Sequence, residues 1–326
     1  MTDIFALAAA NLTSPAVLFF ALGVFAGVAR SDLNVPEAVA RGLALYLMLA
    51  IGFKGGVAVS QQGLTVELLL AALAGVVLSF AMPVIAFALL RAFTRLDRAT
   101  AAASAAHYGS ISVVTFVAGS EFLQMSGMVA SGHMVAVLAL METPAILTGL
   151  MLAGRAADGP DARTRSELLR EVLLNGSVVL LMGSFAIGWI SGEPGMARLD
   201  PFVNGLFQGV LALFLLDMGL VAARRLSGAR KLGFAGGVFG IVMPLIGAGL
   251  ALATAALIAM SPADAAALMI LAASASYIAV PAAMRIALPQ ADPSVYLTLS
   301  LAITFPFNLA VGIPLYAAAA RLALGG

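Results

Sequence analysis

Ten blocks of apolar residues follow one another along the chain, at approximately 14–29, 37–59, 66–90, 99–119, 129–153, 172–191, 202–222, 231–260, 263–287 and 294–320. Each is near the roughly 20 residues that cross a bilayer. Hydrocarbon offers the backbone no hydrogen-bond partner, so blocks of this length must be helices. Composition agrees. Of 326 residues, 62% are hydrophobic and 10% charged, against about 45–50% and roughly 25% in soluble domains. A water-soluble core of this size would lack the polar residues to cover it. The fold class is therefore an all-α polytopic membrane protein with about ten transmembrane helices. No cleavable leader is expected, because Asp3 stands where a basic run would and Leu12–Val28 leads into Arg30 without a small-residue cleavage pattern.

The basic residues choose an orientation. With the N-terminus outside, the odd-numbered connections face the cytoplasm. They hold Arg30 and Arg41; Arg91, Arg95 and Arg98; Arg155, Arg163, Arg165 and Arg170; Arg224, Arg225, Arg230 and Lys231; and Arg285. That leaves Lys54, Arg198 and Arg321 on the other side, so the positive-inside rule puts both termini outside. In a bacterium the membrane is the inner one.

The two halves are alike. Gly42-Leu43 with Gly56 matches Gly205-Leu206 with Gly219 at a shift of 163, Met82-Pro83 matches Met243-Pro244 at 161, and Pro144 with Leu147 matches Pro306 with Leu309 at 162. A near-constant offset points to duplication, with repeats at 1–153 and 172–326 joined by a cytoplasmic loop at 154–171 that carries Gly159-Pro160. Five helices per repeat is an odd number, so the second copy enters the membrane upside down. Inverted repeats are a plan of secondary transporters, whose sites lie near the midplane where broken helices meet.

The fourth block contains His107-Tyr108-Gly109-Ser110-Ile111-Ser112-Val113-Val114-Thr115, and the ninth contains Ala272-Ala273-Ser274-Ala275-Ser276-Tyr277-Ile278-Ala279-Val280-Pro281. Both stretches are rich in small residues and hydroxyls at equivalent places of the two repeats. Gly109 and Pro281 can interrupt their helices. A broken helix offers amides to an anion at one half's N-terminus and carbonyls to a cation at the other half's C-terminus. The alternative is close helix packing with serines bonded back to their own helix. Candidate solute ligands are Tyr108, Gly109, Ser110, Ser112, Thr115, Ser274, Ser276 and Tyr277.

Ionisable residues inside a span are costly and point to function. Glu142 lies mid-span beside Pro144, which can free nearby carbonyls, and is the candidate carboxylate for a coupling cation. Its repeat counterpart Thr304 and the next-turn Asn308 complete that set, with Pro306 as a further helix break; a structural Glu bonded to a neighbouring helix is the rival reading. Lys54 and Asp217 are repeat equivalents at opposite depths, with local roles. Glu121 and His133 flank an outer loop and are expected to be solvated. A lone buried His107 reads as a hydrogen-bonded packing residue. Cysteine is absent and there are only two histidines, which excludes disulfides and a zinc site. No cofactor is expected, and no metal beyond a possible sodium ion.

These residues carry a resemblance. Asn11-Leu12-Thr13-Ser14-Pro15, Gly55-Gly56, Tyr108-Gly109 with Ser112 and Thr115, and Ala272-Ala273-Ser274 through Pro281 with Arg285, Pro289, Pro293 and Tyr296 resemble the sodium-dependent bicarbonate transporter family of cyanobacteria and other bacteria. The resemblance implies ten helices, a core bundle moving against a gate bundle, a homotrimer, sodium-coupled uptake of bicarbonate, and a pocket between the fourth and ninth helices. Cyanobacterial members are inhibited by a PII-like cytoplasmic regulator. Where the family's ninth helix reads like three serines and an aspartate, this chain has Ser274, Ala275, Ser276 and Tyr277. Its paired prolines become Pro281 and Ala282, and a serine of the fourth helix becomes Val114.

The leading reading is a sodium-coupled symporter of bicarbonate or a similar small anion. Alternatives are a proton-coupled carrier of a small organic anion, a cation/proton antiporter, and a non-transporting membrane sensor. An enzyme is not expected, since no span holds two carboxylates at helical spacing or a paired histidine, and nothing points to nucleic acid.

Overall fold

The computed structural model describes residues 11–63, 65–154, 174, 176–225 and 229–325. Apart from Gly154, the loop assigned to 154–171 lies outside them. Every regular element among the described residues is helical. Ser14 caps α1 (Pro15–Val28), with Pro15 pre-set at its first position. Then come α2 (Glu37–Gln62) and α3 (Val66–Phe93), the latter capped by Thr65. Asp97 caps α4 (Arg98–Gly109) and Ser112 caps α5 (Val113–Met125). Each cap oxygen takes an orphan first-turn amide, typically worth about 1 kcal/mol. The first half closes with α6 (Met134–Leu140) and α7 (Glu142–Ala153). The second holds α8 (Gly176–Asp200), a π-helical turn at Pro201–Gly205, α9 (Phe207–Arg225), α10 (Ala229–Leu257), α11 (Pro262–Ala272), α12 (Ala279–Ala287) and α13 (Pro293–Leu324), where α and wider π turns alternate.

Among the described residues seven helical runs are long and apolar enough to cross a membrane. The blocks expected at 172–191 and 202–222 run together as Val178–Arg225, 48 residues. At about 1.5 Å per residue that is roughly 70 Å, more than twice a bilayer core. The backbone turns at Gly192 (φ 52°), a left-handed conformation that favours glycine. The first block gives only the short α1, and the ninth is interrupted into the short α11 and α12.

Packing falls into two groups. In one, α1 packs along α9 and α2 along α8. Both crossings are built on glycine. A Cβ on Gly219 would stand 2.8 Å from Val24 N and 3.0 Å from Gly23 Cα, and one on Gly23 would meet Leu220 N at 3.0 Å. At the other crossing, a Cβ on Gly56 would meet Trp189 N at 2.7 Å, and one on Gly188 would meet Phe53 Cα at 3.1 Å. Without a side chain in the way, two backbones reach van der Waals contact, which is what holds helices together in lipid. In the other group α4 packs on α3 and α7, α11 packs on α10 and the end of α13, and α3 meets α10.

Polar contacts between loops sort into two ends. At one, Arg224 reaches Asn34 (3.4 Å), Thr298 donates to Arg225 O (3.2 Å), Asp292 N donates to Thr100 Oγ1 (3.1 Å) and Arg98 donates to Leu152 O (2.9 Å). At the other, Gln61 meets Glu193, Gln208 meets Glu121, Arg321 meets Ser126 O, and Ser131 N donates to Asp264 (2.6 Å). His133, expected in solvent, is buried at 5% exposure because the Ser131–Asp264 bond folds its loop onto the bundle. Glu121 is half-buried and accepts a hydrogen bond from Gln208. Asp217 is buried.

Candidate solute site at the crossing of two broken helices

Both expected helix interruptions are present. The chain leaves α4 at Gly109, runs extended through Ser110 (φ −88°, ψ 148°) and Ser112 (φ −104°, ψ 109°), and re-enters a helix at Val113. In the second half it leaves α11 at Ala272 and resumes at Ala279. Gly109 is needed for a close approach rather than for a special φ: a Cβ there would run into the Pro83 ring and stand 2.7 Å from Ser79 O. Pro281 does not make the second break. It lies in the first turn of α12, where a missing amide costs nothing. Pro306 does not break its helix either, since α13 continues through it between widened turns. At Pro144 the irregularity falls at Met141, between α6 and α7.

A break exposes carbonyls that must find donors inside the protein. At the end of α11, Ser274 Oγ donates to Leu271 O (2.8 Å), Asn308 Nδ2 donates to Ala273 O (2.7 Å) and His107 Nδ1 donates to Ser276 O. Ser276 N returns a bond to His107 O (2.8 Å), and Ser112 N donates to Ser274 Oγ (2.9 Å). The two breaks are thus tied directly to each other. Because a carbonyl only accepts, Nδ1 of His107 carries the proton, and its ring stacks on Tyr296 at 4.7 Å.

Two candidates have structural duties instead. Pro244 gives no amide to Gly240 O four residues earlier, and Thr304 Oγ1 donates to that carbonyl (2.7 Å). The threonine's one proton is then spent, so the Tyr108 hydroxyl is the donor to Thr304 (2.8 Å). Asn308 donates to Ala273 O and accepts from the Tyr316 hydroxyl (2.8 Å). Neither Thr304 nor Asn308 joins Glu142, contrary to the cation set drawn from the sequence. Both are taken by carbonyls left without a helical donor, Gly240 O by Pro244 and Ala273 O at the end of α11. Thr115 lends its amide to the Ser112 cap (3.2 Å).

What remains open is small and specific. Ser112, Ser276, Tyr277 and Glu142 line one cavity with Met48, Ile111, Val113 and Ile278. Its volume is about 10 Å³, space for about one water. The Ser110 Oγ, the Tyr277 hydroxyl and His107 Nε2 are buried without a hydrogen-bond partner. The Tyr277 hydroxyl lies near Ser112 without reaching normal bonding geometry, and its ring meets Phe305 edge-on at 5.5 Å. Glu142 is 3% exposed, and among the described residues nothing hydrogen-bonds or ion-pairs with its carboxyl. The N-terminus of α5 opens here, presenting the positive end of its dipole. Met48 carried no signal in the sequence; only the folding of α2 across the breaks brings it in.

Two larger depressions lie elsewhere. One of about 300 Å³ between Glu67, His133 and Asp264 opens at the end where Ser131 meets Asp264. The other, about 580 Å³, is an apolar groove between α1, α9 and α13. Neither reaches the breaks. No three His, Cys, Asp or Glu side chains gather as for a metal among the described residues.

Helices long enough to span a bilayer define a multi-pass membrane protein, and two of its apolar blocks break where they meet beside a small cavity. The chain belongs to the Na+-dependent bicarbonate transporter superfamily, whose family model matches residues 15–321. No curated protein matches the chain.

Proposed function

We propose that this chain is a secondary active transporter that carries bicarbonate or a similar small anion together with sodium, by alternating access. The observation that carries the reading is the cavity in which Ser112, Ser276 and Tyr277 from the two breaks meet the unpaired carboxyl of Glu142. Serine hydroxyls and the α5 N-terminus suit an anion. A buried carboxylate without a partner is costly and needs a bound cation or a proton. Anion and carboxylate in one small cavity also repel. Two unit charges about 4 Å apart interact by roughly 4 kcal/mol at an effective dielectric of 20, close to a thousandfold in affinity. Neutralising Glu142 therefore becomes a condition for loading the anion, and this is coupling. The cavity's size in the present conformation requires the two helix groups to part before a solute of several atoms enters.

The architecture we infer is ten helices in two inverted repeats. The pairing of α1 with α9 and α2 with α8 supports it, because exchanging the repeats turns one pair into the other. Tethers exchange likewise: Ser131 N to Asp264 corresponds to Asp292 N to Thr100. The α1–α2–α8–α9 group would be the gate and the remainder the core. Described basic residues concentrate at the Arg98–Arg224 end, which we place in the cytoplasm of a bacterial inner membrane. A homotrimer and a PII-like regulator extend the proposal on family resemblance alone.

The test is anion binding measured against sodium at fixed pH, and against pH at fixed sodium, in wild type and Glu142→Gln. Sodium coupling through this carboxylate gives wild-type binding that rises steeply with sodium and a variant that binds the anion without that dependence. The same loss in the pH series, with sodium inert, identifies the proton-coupled carrier. A variant that keeps the full wild-type response to both ions retires Glu142 as the coupling group.

A further inference from the structure

Outward of the cavity, polar side chains meet across the seam between the two helix groups. The Lys54 ammonium on α2 lies over the Phe207 ring of α9, 4.0 Å from its centroid. Glu121 on α5 accepts a hydrogen bond from Gln208 Nε2 of α9. Lys54 is half-buried, and Glu121, followed by Asp200, is the charge that attracts it. No carboxylate forms a salt bridge with it among the described residues. Lys54, Phe207 and Gln208 belong to the α1–α2–α8–α9 group. Glu121 belongs to the helix whose first residue, Val113, lines the cavity.

The cluster's height follows from helix geometry. Met48 lines the cavity, and Lys54 is six residues further along α2, about 9 Å. Val113 lines the cavity too, and Glu121 is eight residues further along α5, about 12 Å. Helices α2 and α5 touch and run in the same direction, toward the end where Ser131 meets Asp264. Their seam therefore leads from the cavity to this cluster, where Glu121 is the group that reaches across.

We propose that Glu121, with Gln208 and Lys54, forms an outer latch that keeps the cavity closed to the external side and must part for solute to enter from there. The inference rests on the transport reading, because a latch has meaning only where one helix group moves against the other. A charge-assisted bond and a nearby attracting cation hold the closed arrangement, and both are lost when α5 slides away from α9. In the parted state Glu121 regains water, so the barrier stays low enough for turnover.

The cysteine-free chain allows a direct reading. Met48→Cys places one thiol in the cavity wall, and its rate of modification by a membrane-impermeant maleimide added to intact cells reports external opening. Glu121→Gln in that background is expected to raise the rate about tenfold or more, the low end of what one hydrogen bond to a charged group contributes. Gln208→Glu, which sets two carboxylates against each other, is expected to raise it as well. The double change Glu121→Gln with Gln208→Glu restores one carboxylate and one amide and is expected to return the rate toward its starting value. Total thiol in denatured protein and the unfolding temperature establish that each variant is folded and inserted. Unchanged labelling in Glu121→Gln, or no rescue in the double variant, overturns the latch. Labelling needs no solute, so a protein that labels as expected but moves no anion sinks the transport reading instead, and one that transports normally with unmoved labelling sinks only the latch.

Discussion

Helix α9 carries two glycines whose replacement by alanine is expected to act in opposite directions. A Cβ on Gly219 would stand 2.8 Å from Val24 N and 3.0 Å from Gly23 Cα, and nearer still to Phe20 O. All three are backbone atoms of α1, so none can swing aside as a side-chain end does. The helices must part by roughly an ångström at their crossing, and overpacking of this kind typically costs about 1–3 kcal/mol. Alanine's better helix propensity, about 0.8–1 kcal/mol over glycine, offsets part of that, leaving a net loss of up to about 2 kcal/mol. Gly209, ten residues earlier on the same helix, has open space where a Cβ would go. There the propensity term stands alone, and Gly209→Ala gains up to about 1 kcal/mol. Thermal unfolding of purified protein in one detergent reads both, with roughly 2 °C or less per kcal/mol in a chain this long. Opposite signs are expected, with Gly56→Ala at the α2–α8 crossing following Gly219→Ala. Equal small shifts in all three variants would mean that the α1–α9 and α2–α8 crossings are not in backbone contact, and the symmetric packing inferred from them would fall.

Other substitutions separate solute contact from scaffold. Ser112→Leu and Ser276→Leu are each expected to abolish transport in a folded, inserted protein, since leucine fills the small cavity between the breaks; normal uptake by both would move the solute site elsewhere. Thr304→Val leaves Gly240 O and the Tyr108 hydroxyl without partners, a loss of about 1–3 kcal/mol read as a lower unfolding temperature, with the sodium response of anion binding unchanged. Asp97→Ala removes the α4 cap and is expected to cost about 1 kcal/mol. Burial works to raise the Asp97 carboxyl, but hydrogen bonds from Thr100 and neighbouring amides outweigh it and hold the group below the ordinary carboxylate range. Its contribution is therefore present at neutral pH and fades as pH falls through the folded value, so the wild type and Asp97→Ala should converge in stability below about pH 4.

Helices were legible because hydrocarbon imposes one backbone solution on any long apolar block. The two breaks were legible because glycine, serine and alanine crowd where a spanning helix has no other reason to carry them. Their cause was read less well. Pro281 looked like the breaker, yet a proline in a first turn starts a helix as easily as it ends one. Pro306 sits in wide turns that absorb its missing amide, which no local pattern announces. Glu142 stood out as a carboxylate inside a span, and the fold brings it to the cavity. Thr304 looked like its partner because the repeat aligns them, but its hydroxyl answers a carbonyl freed by Pro244, a residue 60 positions away on another helix. Met48 and the burial of His133 depend on which helices cross and which loops fold down. Such contacts between distant segments leave no mark on the residues themselves.

Uptake of labelled bicarbonate into proteoliposomes, with an inward sodium gradient, with equal sodium on both sides and with none, tests the transport reading most directly. Accumulation above equilibrium that appears only with the sodium gradient, and disappears in Ser276→Leu, is the expected result. Equal uptake under all three conditions, or none above empty liposomes by protein shown to be folded, would contradict it.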